Sequence, residues 1–149
     1  MKNEQRFNND YLTGEPDVLE PLIDVKSSWS AATFPFFDET LKNKLYEWQL
    51  KGYMMLTGKK ESWLVYALIN TPMQLVEDEM RRVSWKRGEL GEVSAEVERE
   101  VIGFHTFDEI PIEKRVKAFK VEYTEADEQK IIEKVELAKE YYKSIYESI

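Results

Sequence analysis

Cysteine is absent from the 149 residues, which excludes a disulfide framework, thiolate-held zinc and iron–sulfur clusters. This absence fits a reducing compartment. Histidine is nearly absent as well: His105 stands alone, without a histidine-containing metal pattern, and reads as core packing, a turn contact or plain exposure. No apolar run approaches the roughly 20 residues needed to cross a bilayer. The start Met1-Lys2-Asn3-Glu4 leads into no signal-peptide core. An excess of positive charge is also missing. Twenty-nine acidic against 21 basic residues give a formal charge of −8, which opposes nucleic-acid binding by the surface as a whole. Any such binding has to come from a local site, where bound cations or a basic patch outweigh the mean.

What is present is enough for one folded domain. A chain of this length buries about 68–70% of its unfolded surface, and four Trp, eight Tyr and seven Phe spread along it supply large apolar bodies. The first ten residues are polar and suggest no element. From Tyr11 an extended piece is interrupted by Gly14 and Pro16, and Glu20-Pro21 turns it into a strand over residues 22–26. Residues 27–35 read as irregular. Asp38 caps a helix expected to run to about Thr57 and stop at Gly58, with Leu41, Leu45, Trp48, Gly52, Met55 and Leu56 as its packed stripe. Gly52 in that stripe suits the close approach of another element.

A continuous apolar run at residues 62–69 predicts a central buried strand. Thr71 and Pro72 open a helix packed through Met73, Val76, Met80 and Val83, and Gly88 and Gly91 break it. A short helix over 94–101 follows, then an unassigned stretch to Pro111. Residues 115–123 alternate charged and apolar side chains, as an amphipathic strand does. Thr124 caps a terminal helix, with Asp127 completing a looser capping box and Ile131, Val135, Ala138 and Tyr142 on its packed side. The order of strands and helices predicts a mixed or mostly parallel α/β architecture.

Chemistry concentrates near the start. In an extended strand Asp24 and Lys26 share one face, and Ile23 and Val25 take the other, expected to be the core face. Asp17, seven residues earlier across the turn, is placed for the neighbouring strand to bring it back. Paired carboxylates suit Mg²⁺ or Mn²⁺, and Glu15 is the nearest candidate for a further ligand. Such a group serves phosphodiester hydrolysis: Asp17 and Asp24 hold the ion, while Lys26 orients water or stabilises charge on the phosphate. Read alone, Asp24 and Lys26 fit an ordinary solvated ion pair better than a catalytic pair. Arg81, Arg82, Lys86 and Arg87, with Trp85 among them, form a basic patch suited to DNA contact or to an ordinary solvated helix face. Lys114, Arg115, Lys117 and Lys120 form a second patch, and Trp85, Tyr141, Tyr142 and Tyr146 also suit protein–protein contact.

Pro16-Asp17 followed by Asp24-Val25-Lys26, with Gly14 just before, resembles the signature of the restriction-endonuclease-like PD-(D/E)XK superfamily. More narrowly it is similar to phage lambda-type exonucleases and YqaJ viral recombinases. The segment from Trp48 to Gly58 resembles that family's Gln-x-x-x-Tyr helix through Gln49 and Tyr53, and residues 64–72 resemble the strand and turn that follow. The resemblance implies a restriction-endonuclease-like mixed sheet flanked by helices, with Asp17 and Asp24 as metal ligands, Lys26 as the catalytic lysine, and Gln49 and Tyr53 beside them. It also implies Mg²⁺- or Mn²⁺-dependent, exonucleolytic hydrolysis of linear double-stranded DNA in phage-type recombination, within the cytoplasm of a bacterial or phage-infected cell, by a homo-oligomer. One feature departs from the family pattern. Its members carry a helical region before the Gly-x-Pro-Asp segment, with another acidic residue and groups that recognise the 5′ end, whereas 13 residues precede Gly14 here. Two alternatives therefore stand beside the enzyme: a noncatalytic DNA-binding or assembly module, and one part of a split nuclease completed by an N-terminal subunit.

Overall fold

The computed structural model describes residues 2–89 and 91–147. The chain forms two compact units, one from the segments up to Val25, Glu39–Val65 and from Ala118 on, the other from Lys26–Asp38 and Tyr66–Lys117. In the first unit the polar beginning is ordered by a side chain. Asn9 Oδ1 accepts the N–H groups of Tyr11 (2.9 Å) and Leu12 (2.8 Å), an Asx turn that lets β1 (Phe7–Asn8) pair antiparallel with β2 (Thr13–Gly14). Val18 and Ile23 then exchange backbone hydrogen bonds of 3.1 and 3.0 Å around the cis Glu20–Pro21 peptide. That turn delivers the chain into β3 (Ile23–Ser27).

Helix α1 spans Lys44–Thr57, beginning six residues after the Asp38 cap expected from the sequence. Asn43 is the cap instead, its side chain accepting from Leu45 and Tyr46 N–H at 3.0 and 3.3 Å. The helix ends at Gly58, whose φ of 72° is the left-handed conformation that glycine adopts without a Cβ penalty. It leads into β4 (Glu61–Ala67), and β5 (Val116–Glu122) completes a sheet of order β3-β4-β5. Leu22 accepts from Trp63 N–H, and Ser28 N–H donates to Ala67, so the partners rise together and β3 runs parallel to β4. Along β5 the partners fall, from Tyr123 opposite Lys60 to Arg115 opposite Leu68, which is antiparallel. The sheet is therefore mixed, and α1 supplies the crossover that a parallel pair requires.

Helix α4 (Glu125–Tyr146) carries the capping box read from its sequence: Thr124 Oγ1 accepts from Asp127 N–H, and Asp127 Oδ2 accepts from Thr124 N–H at 3.1 Å. It packs on α1, and Lys51 Nζ lies 2.8 Å from Asp127 Oδ1 and 3.0 Å from Glu47 Oε1. The buried apolar residues of this unit include Leu22, Leu50, Met54, Leu64, Phe119, Val121 and Ile131.

Two expected packing faces are corrected. In α1 the buried residues are Leu50, Lys51 and Met54, whereas Leu45 is 80% exposed and Trp48 is also exposed. The stripe of strongest apolar periodicity is thus not the most buried one, because Lys51 is accepted inside on the strength of its carboxylate partners. In α4 burial fades after Val135, and Tyr142 is exposed.

In the second unit α2 (Met73–Lys86) packs on α3 (Ala95–His105) through Val76, Met80, Val97 and Val101. Ser94 caps α3 by accepting from Val97 N–H. The expected Thr71 cap of α2 is corrected: Pro72 holds the cap position, and the Thr71 hydroxyl instead meets Nδ1 of the buried His105 at 3.1 Å. A separate cluster joins Phe34, Leu68 and Phe107. Among the described residues no helix is long and apolar enough to cross a membrane.

Candidate active site

The Pro16–Asp17 backbone is clamped by a residue in the polar beginning. Asn3 Nδ2 donates to Pro16 O (2.9 Å) and Asn3 N–H donates to Asp17 O (2.7 Å). Asn3 is buried, and Pro16 is among the most fully buried residues. Nothing in the pattern around Asn3 marks it, since a side chain-to-backbone clamp leaves no periodicity to read. With its backbone held, Asp17 directs Oδ2 onto Val25 N–H at 2.8 Å. That amide adjoins Asp24, so the Asp17 oxygen lies within about 5 Å of the Asp24 Cα. Asp17 is thus brought back beside the strand that carries Asp24, as its place before the turn suggests.

Asp24 is 3% exposed, while Val25 is 43% exposed. The expected orientation of β3 is thereby corrected: the carboxylate faces inward and one member of the apolar pair faces out. Helix α1 explains the inversion. Gln49 Nε2 donates to Asp24 Oδ1 at 3.3 Å and to Tyr53 Oη at 2.9 Å, using both hydrogens of one amide. Gln49 and Tyr53 lie four residues apart and so share a helix face. A carboxylate can turn inward where such a donor waits for it. Tyr53 is seated by a glycine: a Cβ at Gly14 would fall 2.8 Å from Tyr53 Cε1 and 3.2 Å from Leu56 Cδ1. Gly14, Tyr53, Gln49 and Asp24 thus form one line of contacts. Lys26 follows Asp24 by two residues in the same strand, on the same side by strand alternation.

Other sequence candidates have acidic or basic partners of their own or are exposed. Glu15 is exposed and lies 3.7 Å from Arg6. On α2, Arg81 pairs with Asp78, Arg82 with Glu79 (2.5 Å) and Arg87 with Glu100 (2.7 Å), while Trp85 and Lys86 are exposed. These pairings cancel much of the charge that marked the basic patch. In the second patch Arg115 lies 3.7 Å from Asp108, and Lys120 lies 2.6 Å from Glu61.

Oxygen donors of this kind suit Mg²⁺ or Mn²⁺, and Mg²⁺ is commonly held by one or two carboxylates, with waters and substrate phosphate filling the remaining positions. Among the described residues no group of three acidic or histidine side chains assembles. Asp17 and Asp24 are the two carboxylates that could hold such an ion. Mixed β-strands flanked by helices, with carboxylates on and just before β3, define an α/β fold of the restriction-endonuclease-like class. No family model matches the chain, and no curated protein matches it. Among solved structures it is similar to the crystal structure of a phage-related exonuclease from Haemophilus somnus 129PT, at 25% sequence identity and a TM-score of 0.76. The likeness covers 99% of this chain and 61% of that one. The chain is thus a distant relative of a nuclease and spans about three-fifths of that relative's length.

Proposed function

We propose that the chain carries a metal-dependent site for hydrolysis of DNA phosphodiester bonds, with linear double-stranded DNA cut from an end as its substrate, in phage-type recombination. The observation that carries this reading is the bond from Val25 N–H to Asp17 Oδ2, next in the strand to Asp24, whose carboxylate accepts from Gln49. The chemistry a bound Mg²⁺ or Mn²⁺ supplies is Lewis-acid polarisation of a phosphate oxygen and activation of water. Asp17 commits Oδ2 to Val25 N–H, which orients its other oxygen as the ligand. Gln49 fixes the Asp24 carboxylate, and Tyr53 fixes Gln49. Lys26 places an ammonium beside the phosphate to offset charge that grows in the transition state. Trp85 and Lys86 on α2 are proposed as outlying DNA contacts, with Arg81, Arg82 and Arg87 joining where phosphate displaces their acidic partners. Glu15 joins the ligand set only by leaving Arg6. A homo-oligomer or a complementary N-terminal subunit is the proposed protein partner.

The test is digestion of end-labelled linear and covalently closed circular DNA with Mg²⁺, Mn²⁺ or EDTA. Metal-dependent loss of the linear form alone is the expected result. A folded chain that binds metal and DNA without cutting either form would assign it to the noncatalytic alternative.

Gly14 provides a second prediction. Gly14→Ala drives a methyl to 2.8 Å from Tyr53 Cε1, so the ring shifts and displaces Gln49. A misplaced group of this kind costs about 10²-fold in rate. Hydrolysis should fall by that order with little change in unfolding temperature, and unchanged hydrolysis would remove Gly14 from the positioning line.

A further inference from the structure

We propose that the groove between α1, β2 and α4 is a nucleotide subsite, holding one base and phosphate of a DNA strand next to the hydrolytic site. This rests on the reading above for the nature of the strand. The groove has a volume of about 660 Å³, within the range of small-ligand pockets, and all its walls belong to the first unit. Trp48, Gln49, Gly52 and Tyr53 line it from α1, and Lys130 and Lys134 from α4. The stripe of α1 that reads as core in the sequence is therefore the wall of an open groove.

Three observations select a nucleotide as the occupant. The first is charge. In a chain of net charge −8, the largely apolar walls include two exposed lysines one helical turn apart and no carboxylate residue. Among the described residues Lys51 and Lys139 are ion-paired, whereas Lys130 and Lys134 are in no ion pair. An anion is the complementary ligand, and a purely apolar peptide would leave both lysines without a role.

The second is an aromatic surface already held in place. Lys51 Nζ stands 4.8 Å from the Trp48 ring centroid and is itself locked by Asp127 and Glu47. Tyr53 is seated against Gly14. Bases stack on such rings irrespective of sequence. Gly52 keeps the floor low between them, since a Cβ there would meet only Leu12, at 3.4 Å. The third is continuity. Gln49 lines the groove and donates to Asp24 Oδ1 in the same conformation, so a base in the groove places the adjoining phosphate towards the carboxylates.

The test is fluorescence anisotropy of a labelled 12-nucleotide single-stranded DNA with the full chain in EDTA, across a salt series. Lys130→Gln/Lys134→Gln should weaken binding and lower the slope of log K against log salt by about 0.7, the worth of one phosphate contact on a single strand. Gly52→Leu fills the groove while improving helix propensity, and should weaken binding by about 5- to 150-fold, the worth of one stacked base. Circular dichroism and unfolding temperature establish that both variants fold. Several outcomes overturn the proposal: no binding by the intact chain, normal binding by folded Gly52→Leu, or an equal slope change in a Lys2→Gln/Lys143→Gln control. Normal DNA binding by a Gly52→Leu variant that loses self-association would give the groove to a second copy and overturns it too. Parallel digestion with Mg²⁺ separates the two readings. Groove-dependent binding without hydrolysis keeps the subsite and removes the enzyme. Hydrolysis unaffected by either groove variant keeps the enzyme and removes the subsite.

Discussion

Asp24→Asn is expected to lower Mg²⁺- or Mn²⁺-dependent hydrolysis of linear DNA by at least about 10²–10³-fold, the usual cost of one electrostatic group acting on the transition state. The substitution is nearly isosteric, and its amide oxygen still accepts from Gln49, so the 3.3 Å contact and the seat of Tyr53 survive. What is lost is the charge that would hold the proposed cation. Asp24 is 3% exposed, and Asn keeps its shape and its bond from Gln49. The variant should therefore stay folded while losing activity. Single-turnover rates beside thermal melts check both halves. A rate within threefold of the intact chain would remove Asp24 from the chemistry, and a collapse in stability would make its role structural.

The largest stability effect is expected at Asp127. Asp127→Ala removes the partner of the buried Lys51 ammonium and half of the α4 capping box, and should cost about 3–5 kcal/mol in urea unfolding. Glu47 remains 3.0 Å from Lys51, which places the effect towards the lower end. The pair also sets a pH window. Burial pushes the Asp127 carboxyl up, but the Lys51 ammonium and the Thr124 hydroxyl and N–H outweigh it and hold the group below its ordinary 3.8. Its contribution is present above that value and is lost as pH falls through the lowered folded value. For Lys51 burial acts downward, and Asp127 and Glu47 outweigh it to raise the ammonium above its ordinary 10.5. That contribution is present below 10.5 and is lost as pH rises through the raised value. The intact chain should thus lose stability at both extremes, and Asp127→Ala should flatten the acid limb. An unaltered acid limb would show that the pair does not govern it.

Particular residues explain what was legible in advance. Gly58, Ser94 and the Thr124–Asp127 box mark helix ends because capping is local chemistry between neighbours in sequence. The central strand was legible from a continuous apolar run. Asp17, Asp24, Gln49 and Tyr53 were legible as a family pattern, and the Gln49 bonds to Asp24 and Tyr53 supply a physical reason for that spacing. Three of the features that were not legible share one reason. The start of α1 depends on competition between Asp38 and Asn43, two equally good caps. The buried face of α1 includes Lys51, whose burial depends on Asp127, 76 positions away. The clamp by Asn3 on Pro16 and Asp17 joins residues 13 or more apart through backbone carbonyls, which any sequence provides. Each of the three rests on a competing or distant partner, and distant partners are what a single sequence withholds.

The central claim is that Asp17 and Asp24 together hold one divalent cation. Titration of the folded chain with Mn²⁺, followed by electron paramagnetic resonance of the free ion, tests it most directly. One site that is lost in both Asp17→Asn and Asp24→Asn, and kept in the exposed Glu15→Gln variant, is the predicted result. Binding that survives both aspartate substitutions, or is lost only with Glu15, would contradict it.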